Sequence, residues 1–155
     1  MKPAALLLCL LTLPGAAPSR APDWVLRDRD YRRFLGDLQN AVRRGDREAV
    51  IRLADLPLRV NGPGRHRAEE RSAAAIRRHY GRIFIPAVRR AILAQRFETL
   101  FGSSKGLMIG DGAVWFDHTC PSRRCTPAGP VRMFAVNLPD RGPAPERSRS
   151  RSVPR

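Results

Sequence analysis

The stretch LMIGDGAVWFDH, residues 107–118, decides the fold. Two short apolar runs stand either side of an Asp-Gly pair, Asp111-Gly112. Asp-Gly between such runs predicts a β-hairpin, because both central residues of a type I′ turn need positive φ. Trp115 and Phe116 are adjacent, so a strand sends one to each face of its sheet. One of the two is expected in the core. The other is free to line a hollow or to cover a helix. Downstream, PVRMFAVNLP (130–139) reads as a further strand, with Met133 and Phe134 as core or pocket lining. Upstream, FETLF (97–101) is short and aromatic, and SSKG (103–106) is a turn. The late half of the chain is therefore a meander of three or four antiparallel strands.

The earlier half has a helical period. In DRDYRRFLGDLQNAVRRGD (28–46), Tyr31, Phe34, Leu35, Leu38, Ala41 and Val42 recur at steps of three and four. That is one face of an amphipathic helix. Gly45 ends it, and Asp46 can cap a second short helix through REAVIRLA (47–54). LPLRV (56–60) alternates Leu56, Leu58 and Val60 as a short strand, with Pro57 arguing for an edge position or a first residue. NGPG (61–64) is a turn. HRAEERSAAAIRRHYGRIF (66–84) reads as a helix whose apolar face carries Ile76, Tyr80, Ile83 and Phe84, with Glu69 and Glu70 near its start. Pro86 ends it and opens the next helix, PAVRRAILAQ (86–95). Helices first and strands later make an α+β layout, a sheet curled over helices.

The two ends have different compositions. MKPAALLLCLLTLPGAAPSRAP (1–22) has Lys2 ahead of an apolar run from Ala4 to Leu13, then Pro14, Gly15 and small residues. This is the layout of a secretory signal peptide, with cleavage expected between Ala17 and Ala21. The run is shorter than the roughly 20 residues of a membrane span. DRGPAPERSRSRSVPR (140–155) has no apolar period and reads as a disordered basic tail. The expected division is a signal peptide at 1–21, one α+β domain at 22–139 and the tail at 140–155.

Export bears on FDHTCPSRRCTP (116–127). With Cys9 removed in the leader, Cys120 and Cys125 remain. An even pair in an exported protein reads first as a disulfide, and closing so small a loop would stabilise by about 2 kcal/mol in the chain-entropy model. Free thiols are the second reading. A redox pair is usually C-x-x-C, and a metal site would need more ligands beside His118 than the local sequence offers. No metal or cofactor is expected.

Charge is lopsided: 29 Lys+Arg stand against 14 Asp+Glu, a net +15, and Lys2 and Lys105 are the only lysines. Such a surplus attracts anionic surfaces. Arg77, Arg78, Arg89 and Arg90 form pairs on the central helices, off the apolar face, and with Arg43 and Arg44 they are candidates for an acidic partner. Export makes nucleic acid a poor candidate partner.

The run RRHYGRIFIPAVRRAILAQRFETLFGSSKGLMIGDGAVWF (77–116) resembles small exported bacterial proteins of the nuclear-transport-factor-2-like, or SnoaL-like, superfamily. At pattern level the resemblance extends from Arg27 to Asn137: a first helix ending in Gly-Asp, a short strand, a central helix and a late antiparallel sheet. It implies a cone, a strongly bent antiparallel sheet wrapped around helices with a hollow at the wide end. It also implies a homodimer through the sheet. The superfamily holds isomerases, dehydratases and proteins that only bind, and fold does not choose among them.

An isomerase-type site needs a carboxylate base and a donor for an oxyanion. Asp117 and Asp55 are the carboxylate candidates, Tyr80 the phenol, and His118 stands beside Asp117. The duller reading places Tyr80 in packing and Asp117 and His118 in a loop. Tyr80, Phe84, Met108, Trp115 and Phe134 are the expected core or pocket lining. No phosphate loop or nucleophile elbow is present. The sequence thus favours an exported, non-catalytic protein that either binds a small apolar molecule in the cone or serves as an envelope interaction module. Its rivals are an isomerase or dehydratase using Asp117 or Asp55 with Tyr80, and a polyanion binder using the arginine pairs and the tail.

Overall fold

Phe116 anchors the centre of the molecule. It is fully buried, stacks on Phe34 with ring centroids 4.8 Å apart, and meets Tyr31 edge-on at 6.2 Å. The structure, a computed structural model, describes residues 21–64, 66–120 and 128–139. Its elements run α1 (Asp23–Arg27), α2 (Arg29–Arg44), α3 (Arg47–Arg52), β1 (Ala54–Asn61), β2 (Arg67–Glu70), α4 (Ala73–Ile83), α5 (Pro86–Ala94), a 3-10 turn (Phe97–Thr99), β3 (Phe101–Ser103), β4 (Gly106–Ile109), β5 (Val114–His118) and β6 (Val131–Asn137). The architecture is α+β, with five α-helices and one open sheet of six strands in the order β2-β1-β6-β5-β4-β3. Among the described residues no helix is long and apolar enough to cross a membrane. The expected leader (1–21, Ala21 apart), the tail (140–155) and Cys125 fall outside the described residues.

Helix α2 forms where its period predicts, and Tyr31, Phe34, Leu35, Leu38, Ala41 and Val42 are all buried. Asp28 caps it, its carboxylate accepting from the N–H groups of Asp30 and Tyr31. Asp46 caps α3 through the Ala49 N–H, and Ser72 caps α4 through the Ala75 N–H. Pro86 is the first residue of α5, where its missing N–H costs nothing. One apolar core joins these helices to Leu58, Val60, Leu107, Ile109, Val114, Phe116, Met133 and Val136 of the sheet.

Four expectations need correction. First, the sheet is mixed: β1 runs parallel to β6, while the other pairs are antiparallel. The long connection through β2, α4 and α5 lets the chain return to β1 in the parallel sense, which a tight turn cannot do. Second, Pro57 lies inside a strand flanked on both sides. Pairing with β2 begins at Leu58, and the β6 register shifts between Ala54 and Arg59. Pro57 therefore sits in an irregular stretch where its missing N–H breaks no ladder. Third, Arg67–Glu70 is strand β2 rather than the start of a helix, and α4 begins at Ala73. Turn residues Gly62–Gly64 fold β2 back on β1, closed by a Gly62 N–H to His66 carbonyl bond of 2.8 Å. Fourth, the β4–β5 hairpin exists, but Ile109 pairs with Val114 across a four-residue loop. Positive φ falls on Gly110 (59°) and Gly112 (84°), so the two glycines carry the reversal.

Because the core depends on the Phe34–Phe116 stack, Phe116→Ala should lower unfolding free energy by about 3–5 kcal/mol. Urea unfolding followed by circular dichroism checks this. A loss below about 1 kcal/mol would show that the stack does not hold the layers together.

Candidate functional site

Asp117 and His118 end β5, and hydrogen bonds to Tyr31 and Asp28 tie both to the start of α2. The Tyr31 hydroxyl donates to Asp117 Oδ1 at 2.6 Å, and the His118 backbone N–H donates to the same oxygen at 2.7 Å. The His118 ring lies 4.9 Å from that of Tyr31. Its Nδ1 is 2.8 Å from the Gly129 carbonyl, and its Nε2 is 3.0 Å from Asp28 Oδ2. A carbonyl only accepts, so Nδ1 carries a proton. A carboxylate at the other nitrogen invites a second proton, and this is the setting of an imidazolium.

The electrostatics agree with this setting. Partial burial works against the charged form of His118, yet the Gly129 carbonyl and the Asp28 carboxylate hold its pKa above the ordinary value. Partial burial likewise opposes the Asp28 charge, but His118 and the N–H groups of Asp30 and Tyr31 hold its pKa below the ordinary value. Burial, and then the bond to Asp117, push Tyr31 far above the usual range for a phenol. A phenol so reluctant to ionise is a poor proton donor at neutral pH, since efficient acid catalysis wants a pKa near the working pH.

The sequence-level pairing of Asp117 with Tyr80 is thus replaced. Asp117 bonds Tyr31, 86 residues away in sequence on α2, while Tyr80 belongs to the helical side. The Tyr80 ring packs on Phe84 at 4.8 Å and lies under the Arg47 guanidinium at 5.3 Å. Asp55 accepts from the N–H of the next residue, Leu56, at 3.0 Å and remains near the surface. Asp28 and Asp30 also come within reach of His118, the ligand-capable atoms of the three lying within 4.8 Å of one another. Asp28 spends one oxygen on the helix cap and the other on the imidazole, so its pairing with His118 reads as a structural clasp. Sequence reasoning missed Asp28 and Tyr31 as partners of this clasp, although Asp28 just ahead of an amphipathic run is a cap signal in its own right. It also missed the carboxylate of Glu70, buried on β2 and 2.7 Å from His79 Nδ1.

The expected pocket residues divide by face. Phe84 and Tyr80 are core. Met108, Trp115 and Phe134 are half-buried on the face of the sheet turned away from the helices. The reason is a bulge. β5 and β6 shift register between Trp115 and Phe116, pairing Phe116 with Met133 and Trp115 with Ala135. Phe134 is the extra residue. Met133 and Val136 stay in the core, so Phe134 and Ala135 both lie on the open face. A recess of about 290 Å³ results, lined by Arg59, Asn61, Lys105, Trp115, Phe134, Ala135 and Asn137. Gly106, next to Lys105, stands at φ 111°, where a Cβ would meet the Phe116 carbonyl at 3.1 Å and the Phe134 ring at 3.2 Å. A second hollow of about 360 Å³ lies between α5 and the β4–β5 turn and shares Asn137 with the first. Asp117, His118, Tyr80 and Asp55 line neither.

Of the arginines, Arg77 is committed to Glu48 through two bonds of 2.6 and 2.7 Å on the surface. Arg43, Arg44, Arg78, Arg89 and Arg90 are exposed. Compared with known proteins, the chain matches no family model, no curated protein and no solved structure.

The clasp makes stability depend on pH in two directions. The Asp28 contribution is full above its ordinary pKa of 3.8 and is lost as pH falls through the lowered folded value. The His118 contribution is full below 6.5 and is lost as pH rises through the raised folded value. Their bond therefore stabilises most between pH 3.8 and 6.5. His118→Asn should remove roughly 1–2 kcal/mol at pH 5 and less at pH 9, as for a partly buried charged hydrogen bond. Urea titrations of both proteins at the two pH values measure the difference. An equal loss at both would show that His118 acts by packing alone.

Proposed function

We propose that this chain is an exported, non-catalytic binding protein of the nuclear-transport-factor-2-like type, taking a small apolar molecule on the open face of its sheet. The order of helix, short strand, central helix and late antiparallel strands supports the family reading. A bent, cone-like sheet with the Cys120–Cys125 bridge closing the loop after β5 belongs to the same proposal, as does the leader that directs the chain out of the cytosol. A homodimer through the sheet would occupy the same face and competes with a small ligand for it.

The observation that carries the reading is the recess floored by Trp115 and Phe134. Aromatic side chains exposed in a concave site offer apolar contact at little conformational cost. The catalytic rival is weaker for a stated reason. Its phenol, Tyr80, packs in the core on Phe84, its carboxylate Asp117 is bonded to Tyr31 instead, and Asp117, Asp55 and Tyr80 line neither recess.

N-Phenyl-1-naphthylamine, an uncharged dye that brightens in apolar surroundings, tests the reading. At about 0.3 kcal/mol per heavy atom it should bind with a dissociation constant on the order of 0.1 mM. Titrating the protein into a fixed low dye concentration, Trp115→Ala should weaken binding about tenfold. Dye binding unchanged by Trp115→Ala, or no binding by the native protein, would remove the reading. Separately, intact mass of protein recovered from the exported fraction, with and without thiol alkylation, should show a chain lacking about 17–21 residues whose cysteines resist alkylation until reduced.

A further inference from the structure

Two of the seven residues around the Trp115 recess are cations, Arg59 and Lys105, and none is an acid. Five arginines of the described surface pair with carboxylates, Arg27 with Asp23, Arg32 and Arg96 with Glu98, Arg71 with Glu69, and Arg77 with Glu48, and many others do not, so what marks the recess is two cations beside aromatic rings with no acid in its lining. Arg59 and Lys105 form no ion pair among the described residues. Arg59 instead lies over the Phe134 ring, 5.1 Å from its centroid. A guanidinium above an aromatic face keeps its in-plane N–H groups free for a carboxylate or sulfonate. Asp117 is the nearest acid along β5. Its Oδ1 is held by Tyr31 and by the His118 N–H. Its Oδ2 lies by Gly106, 3.3 Å from where a Cβ would stand there.

The other end of the recess is polar and neutral. Asn137 Nδ2 donates to the Gly112 carbonyl at 2.6 Å, and Asn61 Nδ2 donates to Asn137 Oδ1 at 2.7 Å. The chain of amides fixes both side chains and leaves Asn61 Oδ1 as its terminal acceptor. The recess therefore has three parts: an aromatic floor, a cationic rim and an amide acceptor. Its volume of about 290 Å³ is at the small end for organic ligands, room for up to three rings.

We propose that this recess selects a small, ring-containing apolar molecule bearing an anionic group, with the anion against Arg59 and Lys105 and the rings against Trp115 and Phe134. The inference rests on the binding role proposed above and adds the charge of the ligand. That role requires only an apolar occupant; anion selection requires the two cations as well.

A matched pair of dyes separates the two ideas. 8-Anilinonaphthalene-1-sulfonate is N-phenyl-1-naphthylamine with a sulfonate added. The anionic dye should bind the full chain about tenfold more tightly than the neutral one in low salt, and the advantage should shrink to about two- to threefold in 0.5 M salt. Arg59→Gln with Lys105→Gln should bring it to the affinity of the neutral dye. Both side chains are exposed, so folding is not at stake. Arg89→Gln with Arg90→Gln, equal in charge change but on α5, should leave the preference intact. Equal affinity for both dyes, with both lost in Trp115→Ala, would overturn anion selection while leaving the apolar binding role in place. Preference abolished by the α5 variant would show attraction to the general positive field and overturn it as well. Binding of neither dye would end both readings. So would a dimer in analytical ultracentrifugation that Trp115→Ala dissociates, because the face would then be an interface between copies.

Discussion

Phe34 lying on Phe116 is the contact from which the rest of the geometry follows. It brings the amphipathic face of α2 onto the centre of the sheet and buries Phe116 completely. Side chains of a strand alternate, so burying Phe116 obliges Trp115 to face outward. The bulge on β6 then adds Phe134 and Ala135 to the same outer face, while Met133 and Val136 keep the core filled. An apolar interior and an aromatic exterior recess are thus two consequences of one packing decision. A strand without the bulge would have turned one of Phe134 and Ala135 inward and left the outer face with a shallower floor.

The same contact sets up the polar clasp. Once α2 lies on β5, its first turn meets the end of that strand, and Asp28 and Tyr31 face His118 and Asp117. The groups most suggestive of chemistry there are already engaged: the helix cap uses one oxygen of Asp28, the imidazole uses the other, and Tyr31 and the His118 N–H share Oδ1 of Asp117. Gly129, beyond the loop that follows β5, is tied in through His118 Nδ1. A network so satisfied rigidifies a junction rather than reacting, because its donors and acceptors already have occupants. This is why the residues most suggestive of catalysis in the sequence read as structural in the fold. A second set of bonds does comparable work at the opposite end of α2. Gln39 donates to the carbonyls of Ile92 and Gln95, and Gln95 in turn accepts from the Gly110 N–H, joining α2, α5 and the β4–β5 turn.

The recess differs from the clasp in what it leaves unsatisfied. Among the described residues Arg59 and Lys105 have no carboxylate within ion-pair reach, and Asn61 Oδ1 accepts no hydrogen bond. Exposed cations cost little when hydrated, so their presence does not strain the fold. Set around aromatic rings, they are the groups that the proposed ligand, an anion with an apolar body, would meet. The contrast supports binding on the open face over chemistry at the end of β5.

The sequence by itself determined the local elements. The three-and-four spacing of Tyr31 to Val42 specified α2, Pro86 specified the start of α5, and the glycines around Asp111 specified a hairpin, because periodicity, caps and turn residues act over a few positions. It also placed Trp115 and Phe116 on opposite faces. It misjudged Arg67–Glu70, where Glu69 and Glu70 look like a helix start and only pairing with β1 makes a strand. It chose Tyr80 over Tyr31 as the partner of Asp117, since both sit at helical core positions and nothing local tells which helix reaches β5. The parallel pairing of β1 with β6, the bulge that exposes Phe134, and the meeting of Arg59, Lys105 and Asn61 around Trp115 were decided by the tertiary structure alone. Each joins residues tens of positions apart, and such contacts are fixed by how whole faces pack rather than by any pattern along the chain.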